Sequence, residues 1–166
     1  MKCILITVSF LFFFPWLSFA SSTGTITNDI TTSIIAAFSS GADSTSVAGG
    51  VNVGSSDLAS ITNDIVADGG VTANASKKKS TAIAGGINIE DGSIAGNVIN
   101  SVTTGNGGQI TAEATGDSAT AVAAGVNLQN AAFVDGDITL NVNATSITAM
   151  AEKKKSTAVA AGISVK

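Results

Sequence analysis

One nine-residue line, Thr81-Ala82-Ile83-Ala84-Gly85-Gly86-Ile87-Asn88-Ile89, occurs four times in the chain and constrains its fold more than any other feature. The other copies open at Thr45, Thr120 and Thr157, so successive openings are 36, 39 and 37 residues apart. Self-similarity at such a period marks stacked units, each too small to bury its own apolar face. Within a copy the large residues alternate, so Val47, Val51 and Val53, or Ile83, Ile87 and Ile89, share one face of an extended strand. Ala, Gly and Asn occupy the other. A helix would need apolar positions three and four apart and would lose about 1 kcal/mol at each internal glycine. Gly49, Gly85, Ala124 and Ala161 fall on the face of the large residues, which predicts a close backbone approach there.

Two further strand-like pieces accompany each copy. The first is Ile26 to Ile30, echoed at Ile61 to Ile65, Val98 to Val102 and Ile138 to Val142; the second is Val71 to Ala75, Gln109 to Thr115 and Ile147 to Ala151, with Ser33 to Phe38 a degenerate version. Gly69-Gly70, Asp91-Gly92, Gly105 to Gly108 and Asp135 to Asp137 punctuate them as turns. The reading is an all-β fold, a β-solenoid of four repeats of about 36–39 residues, at 24–59, 60–95, 96–135 and 136–166, with strands stacked about 4.8 Å apart. Val47, Ile83, Val122 and Val159 then form an inner ladder. Asn52, Asn88, Asn127 and Ser164 form an outer one, in which stacked amides can hydrogen-bond. The competing architecture pairs the second and third pieces as antiparallel hairpins, giving a sandwich or barrel.

Residues 1–20 have the features of a secretory signal peptide: Lys2 is followed by the apolar run Ile4 to Leu17 and by Ser18-Phe19-Ala20, with small residues at the cleavage-determining positions. Cleavage after Ala20 would leave a single β repeat domain over 21–166, destined for the cell surface or the extracellular space. It would also remove Cys3, Pro15, Trp16 and five of the seven phenylalanines, leaving Phe38 and Phe133 as the aromatics. A core of that material cannot be the bulky Leu and aromatic kind. Val, Ile and Ala with abundant Gly, Ser, Thr and Asn suit thin stacked sheets, and the in-phase alternation with low net charge is unlike the composition of disordered chains. Without cysteine there is no disulfide framework, so stability must come from backbone pairing and stacking. Seven lysines against twelve acids after the leader argue against nucleic acid or an anionic membrane as partner, and any membrane contact is through the signal peptide alone.

The turn before each copy of the line carries alternating charge: Asp43, then Lys77, Lys78 and Lys79, then Asp117, then Lys153, Lys154 and Lys155. The repeats thus pair into a 76-residue duplication. With one repeat per coil, unlike charges are neighbours, and like charges stand two coils apart, about 9 to 10 Å, close to the screening length at physiological salt. A fourth coil that ends basic would meet a first coil that begins acidic. The expectation is head-to-tail association with itself, or docking in series with a similar surface protein, through these charged turns.

Catalysis is poorly provided for. There is no histidine for a general base or a Ser-His-Asp triad and, beyond the leader, no thiol. Ser80 beside Lys79 and Ser156 beside Lys155 make poor dyads, since neighbours in an extended chain point to opposite faces. No cofactor is implied; calcium could be sought at Asp135-Gly136-Asp137 or Asn63-Asp64, although the spacing matches no calcium-binding repeat. Asn74-Ala75-Ser76 and Asn143-Ala144-Thr145 fit the N-glycosylation pattern. Thr27, Thr62 and Thr139 recur at one position, but Ile99 interrupts them.

The segments Ala-Val-Ala-Ala-Gly-Val-Asn and Ala-Ile-Ala-Gly-Gly-Ile-Asn, following short Ser/Thr/Asp or Lys turns, resemble the repeats of bacterial surface-exposed β-solenoid proteins of the haemagglutinin-like and adhesin-like exoprotein group. The resemblance covers the chain after the leader and implies export and an adhesive or filament-forming role, with no functional residue carried over. Two functions follow as expectations: a secreted, non-enzymatic structural subunit of a fibre, matrix or adhesin, or a monomeric extracellular module presenting a flat β face to carbohydrate, ice or a host surface.

Overall fold

A computed structural model describes residues 24–130 and 132–165; the expected signal peptide lies outside them. Among the described residues every regular element is a strand, and the chain winds through four coils. The first coil contains β1 (Gly24–Ser39), β2 (Thr45–Ala48) and β3 (Val51–Ser55), and the second β4 (Leu58–Ser76), β5 (Thr81–Ala84) and β6 (Ile87–Asp91). The third runs through β7 (Ser93–Ile94), β8 (Val98–Thr104), β9 (Gln109–Thr115), β10 (Thr120–Ala123) and β11 (Val126–Leu128). The fourth repeats this as β12 (Phe133–Val134), β13 (Ile138–Asn143), β14 (Ser146–Glu152), β15 (Thr157–Ala160) and β16 (Ile163–Val165).

Each strand pairs with its counterpart in the next coil, and all these pairings are parallel. The hairpin alternative is therefore excluded, since a hairpin pairs its strands antiparallel. The architecture is a β-solenoid of about four turns. Its register follows the sequence repeat, with Thr45, Thr81, Thr120 and Thr157 in one column.

The nine-residue line differs from expectation in being two strands, not one. It breaks at Gly49, Gly85, Ala124 and Ala161, all in the left-handed region with φ of 64°, 60°, 51° and 46°. The first half joins the sheet β2-β5-β10-β15 and the second joins β3-β6-β11-β16. Glycine takes this conformation freely, whereas each alanine pays about 1 kcal/mol. The corner has a consequence for the core. Ala82, Ala84, Ala121 and Ala123 face the interior, packed with Ile65, Val71, Val102 and Ile110, while Ile87, Ile89, Val126 and Leu128 face a second interior cluster with Ile61, Ile94 and Val98. Ile83, Val122 and Val159 lie on the opposite side of their strands from those alanines and form a separate apolar ladder. That ladder, expected inside, is outside the interior, yet beyond its exposed first member Val47 it is buried because the corner of the preceding coil covers it. A Cβ added to Gly50 would come within 2.5 Å of Ile83 Cγ2, and one on Gly86 within 2.6 Å of Val122 Cγ1.

A second difference concerns Gly69-Gly70. Expected as a turn, the pair lies within the continuous strand β4, where Gly70 has φ 129° and the register to β1 shifts between Thr32 and Ile34. Only in the third and fourth coils does the chain break here, into β8 and β9 and into β13 and β14.

Candidate functional site

The charged turns stack by backbone hydrogen bonds. Asp43 N donates to Lys78 O at 3.1 Å, Lys79 N to Asp117 O at 2.9 Å, and Ser118 N to Lys154 O at 2.9 Å. Counting back from the threonine column, Asp43, Lys79, Ser118 and Lys155 share one column, and Lys78, Asp117 and Lys154 the adjacent one. The two aspartates are thus offset by one position, each beside lysines of the neighbouring coil. All of these side chains are exposed, so each such attraction is weak and salt-screened. The turns are closed by serine: Ser80 Oγ donates to Lys77 O at 2.8 Å, and Ser156 Oγ donates to Glu152 O at 2.9 Å. These hydroxyls serve the turn geometry.

A third column of the same turn alternates glycine and lysine: Gly41, Lys77, Gly116, Lys153. Lys77 and Lys153 have positive φ, 129° and 83°. A Cβ placed on Gly116 would run into the backbone carbonyl of Lys77 in the coil before it. A lysine turn is therefore followed in this column by glycine for steric reasons as well as for charge.

The outer asparagine column is joined by side-chain bonds. Asn127 Nδ2 donates to Asn88 Oδ1 at 2.7 Å, and Asn88 Nδ2 donates to Asn52 Oδ1 at 2.8 Å. Gln129 Nε2 adds a third bond, to Asn88 Oδ1 at 2.9 Å. Asn88 and Asn127 are buried although they face away from the interior, and Asn127 Oδ1 has no partner. These residues and the threonine column flank an open groove whose wall carries Thr45, Thr81, Thr120, Asn52, Glu90 and Gln129.

The sequence reading did not pick out a second asparagine column, inside the coil. Asn28 Nδ2 donates to Asn63 Oδ1 at 2.6 Å and to Gly49 O at 3.1 Å; Asn63 Nδ2 donates to Asn100 Oδ1 at 2.7 Å and to Gly85 O at 3.3 Å; Asn100 Nδ2 donates to Ala124 O at 3.0 Å. Each amide thus satisfies the carbonyl of a left-handed corner that points inward, and Asn63 and Asn100 do so while fully buried. The signal was available: strict alternation places Asn63 between Ile61 and Ile65, and Asn100 between Val98 and Val102, on the inward face. Asn63 is committed to this network and Asp64 faces the other way, so the pair does not converge as calcium ligands. At the glycosylation patterns, Asn74 Nδ2 donates to Glu113 Oε2 at 3.2 Å, and Asn143 is exposed.

The ends of the solenoid expose what the middle covers. Val126 is fully buried, while Ile163, its partner in the fourth coil, is 50% exposed; Leu128 is 4% exposed and its partner Val165 69%. No protein-family model matches the chain, and neither a curated protein nor a solved structure matches it significantly.

Proposed function

We propose that the protein is a secreted structural subunit that joins end to end through its stacked coils, as part of a surface fibre, a matrix or an adhesin. The observation that carries this reading is the in-register parallel stacking, with terminal strands in the two short sheets that have one unpaired side among the described residues. In the two short sheets, β2 and β3 form one edge and β15 and β16 the other. An unpaired strand edge is a template for another chain. Here each edge presents the same columns as the coils between them, and the fourth coil's lysine turn would be placed against the first coil's Asp43.

Sedimentation velocity and negative-stain microscopy of the exported chain test it. Fibres or a ladder of oligomers growing with concentration are the expected result; a sharp monomer at high concentration would refute it. Changing Lys153, Lys154 and Lys155 together to Asp is expected to slow assembly, most at low salt, where such charges are least screened. The runner-up is a monomeric binder, favoured by the polar groove whose threonine hydroxyls recur at strand spacing beside Asn52 and Gln129; a carbohydrate bound by the monomer would be its signature.

A further inference from the structure

The geometry points to one partner and one register for the open ends: a second copy of this chain, its first coil seated on the fourth coil of the copy before it, with Gly41 over Lys153 and Val47 over Gly162. This rests on the end-to-end reading and adds to it a polarity and a register.

Two glycines, one near each end, carry the inference. Gly116 must be glycine because a Cβ there meets the carbonyl of Lys77 in the preceding coil. Gly41 occupies the same column with a first-coil environment in which a Cβ would have ordinary contacts only, the nearest being Ser44 Cβ at 3.6 Å. Its φ is not positive, so nothing among the described residues of one copy requires glycine. Stacked on Lys153 of another copy, Gly41 would meet the lysine turn that Gly116 meets on Lys77. At the other end, a Cβ on Gly50, Gly86 or Gly125 would come within 2.5, 2.6 or 2.7 Å of Ile83, Val122 or Val159 in the following coil. Gly162 continues that column, also without a positive φ, and its Cβ would meet only Ala160 O, at 3.6 Å. A following Val47 would fill that space and make glycine necessary.

The remaining columns agree with this register. Thr81 N, Thr120 N and Thr157 N donate to Ser44 O, Ser80 O and Ala119 O of the coil before, so Thr45 N would meet Ser156 O across the junction. Val51 N, Ile87 N and Val126 N donate to Gly86 O, Gly125 O and Gly162 O of the coil after, so Ile163 N would meet Gly50 O. Asp43 would fall beside Lys155, as it falls beside Lys79 within the chain. Tail-to-tail pairing would instead press two lysine triplets together.

The test uses Gly41→Val and Gly162→Val in the exported chain, followed by sedimentation velocity. Each variant is expected to keep the Tm that the wild type shows at dilution, since its added Cβ makes only ordinary contacts, and to lose every species above the monomer. Gly116→Val, in the same column as Gly41, is expected to lower Tm sharply. Mixing the two end variants is the sharper experiment, because each keeps one intact end; the mixture should give a dimer and nothing longer. If wild type assembles and the variants assemble equally well, or the mixture grows beyond a dimer, the register falls while the end-to-end reading stands. If wild type stays monomeric, both fall. Should a variant misfold, the double change Asp43→Cys with Lys155→Cys decides the matter. Within one copy these positions are three coils apart, about 14 Å, too far for a disulfide, whereas across the junction they are about 4.8 Å apart and within its range. Oxidised assemblies should run as a covalent ladder in a denaturing gel; assembled material without cross-links overturns the register.

Discussion

The two asparagine ladders use the same residue and the same spacing for different ends. Inside the coil, Asn28 and Asn63 pass donors toward the C-terminal end, and Asn28, Asn63 and Asn100 each donate to a corner carbonyl, those of Gly49, Gly85 and Ala124. Outside, Asn127 and Asn88 pass donors toward the N-terminal end and touch no corner. The inner ladder lies between two apolar clusters and solves a problem the backbone creates, namely a left-handed corner whose carbonyl turns away from water. The outer ladder binds coil to coil beside a solvated groove, and its first member, Asn52, is exposed. Both stop in the fourth coil, the inner one at Leu140 and the outer one at Ser164.

That contrast can be broken most severely from within. Asn63→Ala would leave the Asn28 donor, the Asn100 acceptor and the Gly85 carbonyl without their partner in a dry interior; a loss of about 3 kcal/mol is expected, read by denaturant unfolding. Asn88→Ala removes as many side-chain bonds, but Asn52 and Gln129 can turn to water and only the buried Asn127 amide is stranded, so a smaller loss of about 2 kcal/mol is expected in the same measurement. A loss at Asn88 as large as at Asn63 would show that the outer ladder carries the coil. The smallest effect sharpens the comparison in the other direction. Ser164→Asn would extend the outer ladder and supply a donor to the unpartnered Asn127 Oδ1, and a gain of about 0.5 kcal/mol in unfolding free energy is expected.

The repeat makes the coil number, the strand register and the all-β class legible in the sequence, because residues separated by a fixed period must stack if they share an environment. The alternating turns at Lys77 to Lys79 and Lys153 to Lys155 were legible in the same way. The place of Ile83 was not. Alternation counts Ile83 and Ile87 as one face, and the count is correct along a straight strand, but Gly85 between them turns the backbone through a positive φ and sends the two side chains to opposite sides of the wall. The role of Asn63 was not legible for a related reason: a polar residue on an apolar face signals a partner, and its partner, the Gly85 carbonyl, exists only once the corner forms.

The sequence by itself determined that this chain is built by repetition, since a thin interior of Val, Ile and Ala with so few aromatics can be stabilised only by laying equivalent strands over one another. Only the tertiary structure decided which apolar residues fill the interior, which asparagines are buried and which glycines are sterically required. Those properties arise where one coil meets the next: Gly116 is compelled by a carbonyl of Lys77, and a neighbour 39 residues away in the chain becomes a neighbour in space only after the coil has closed.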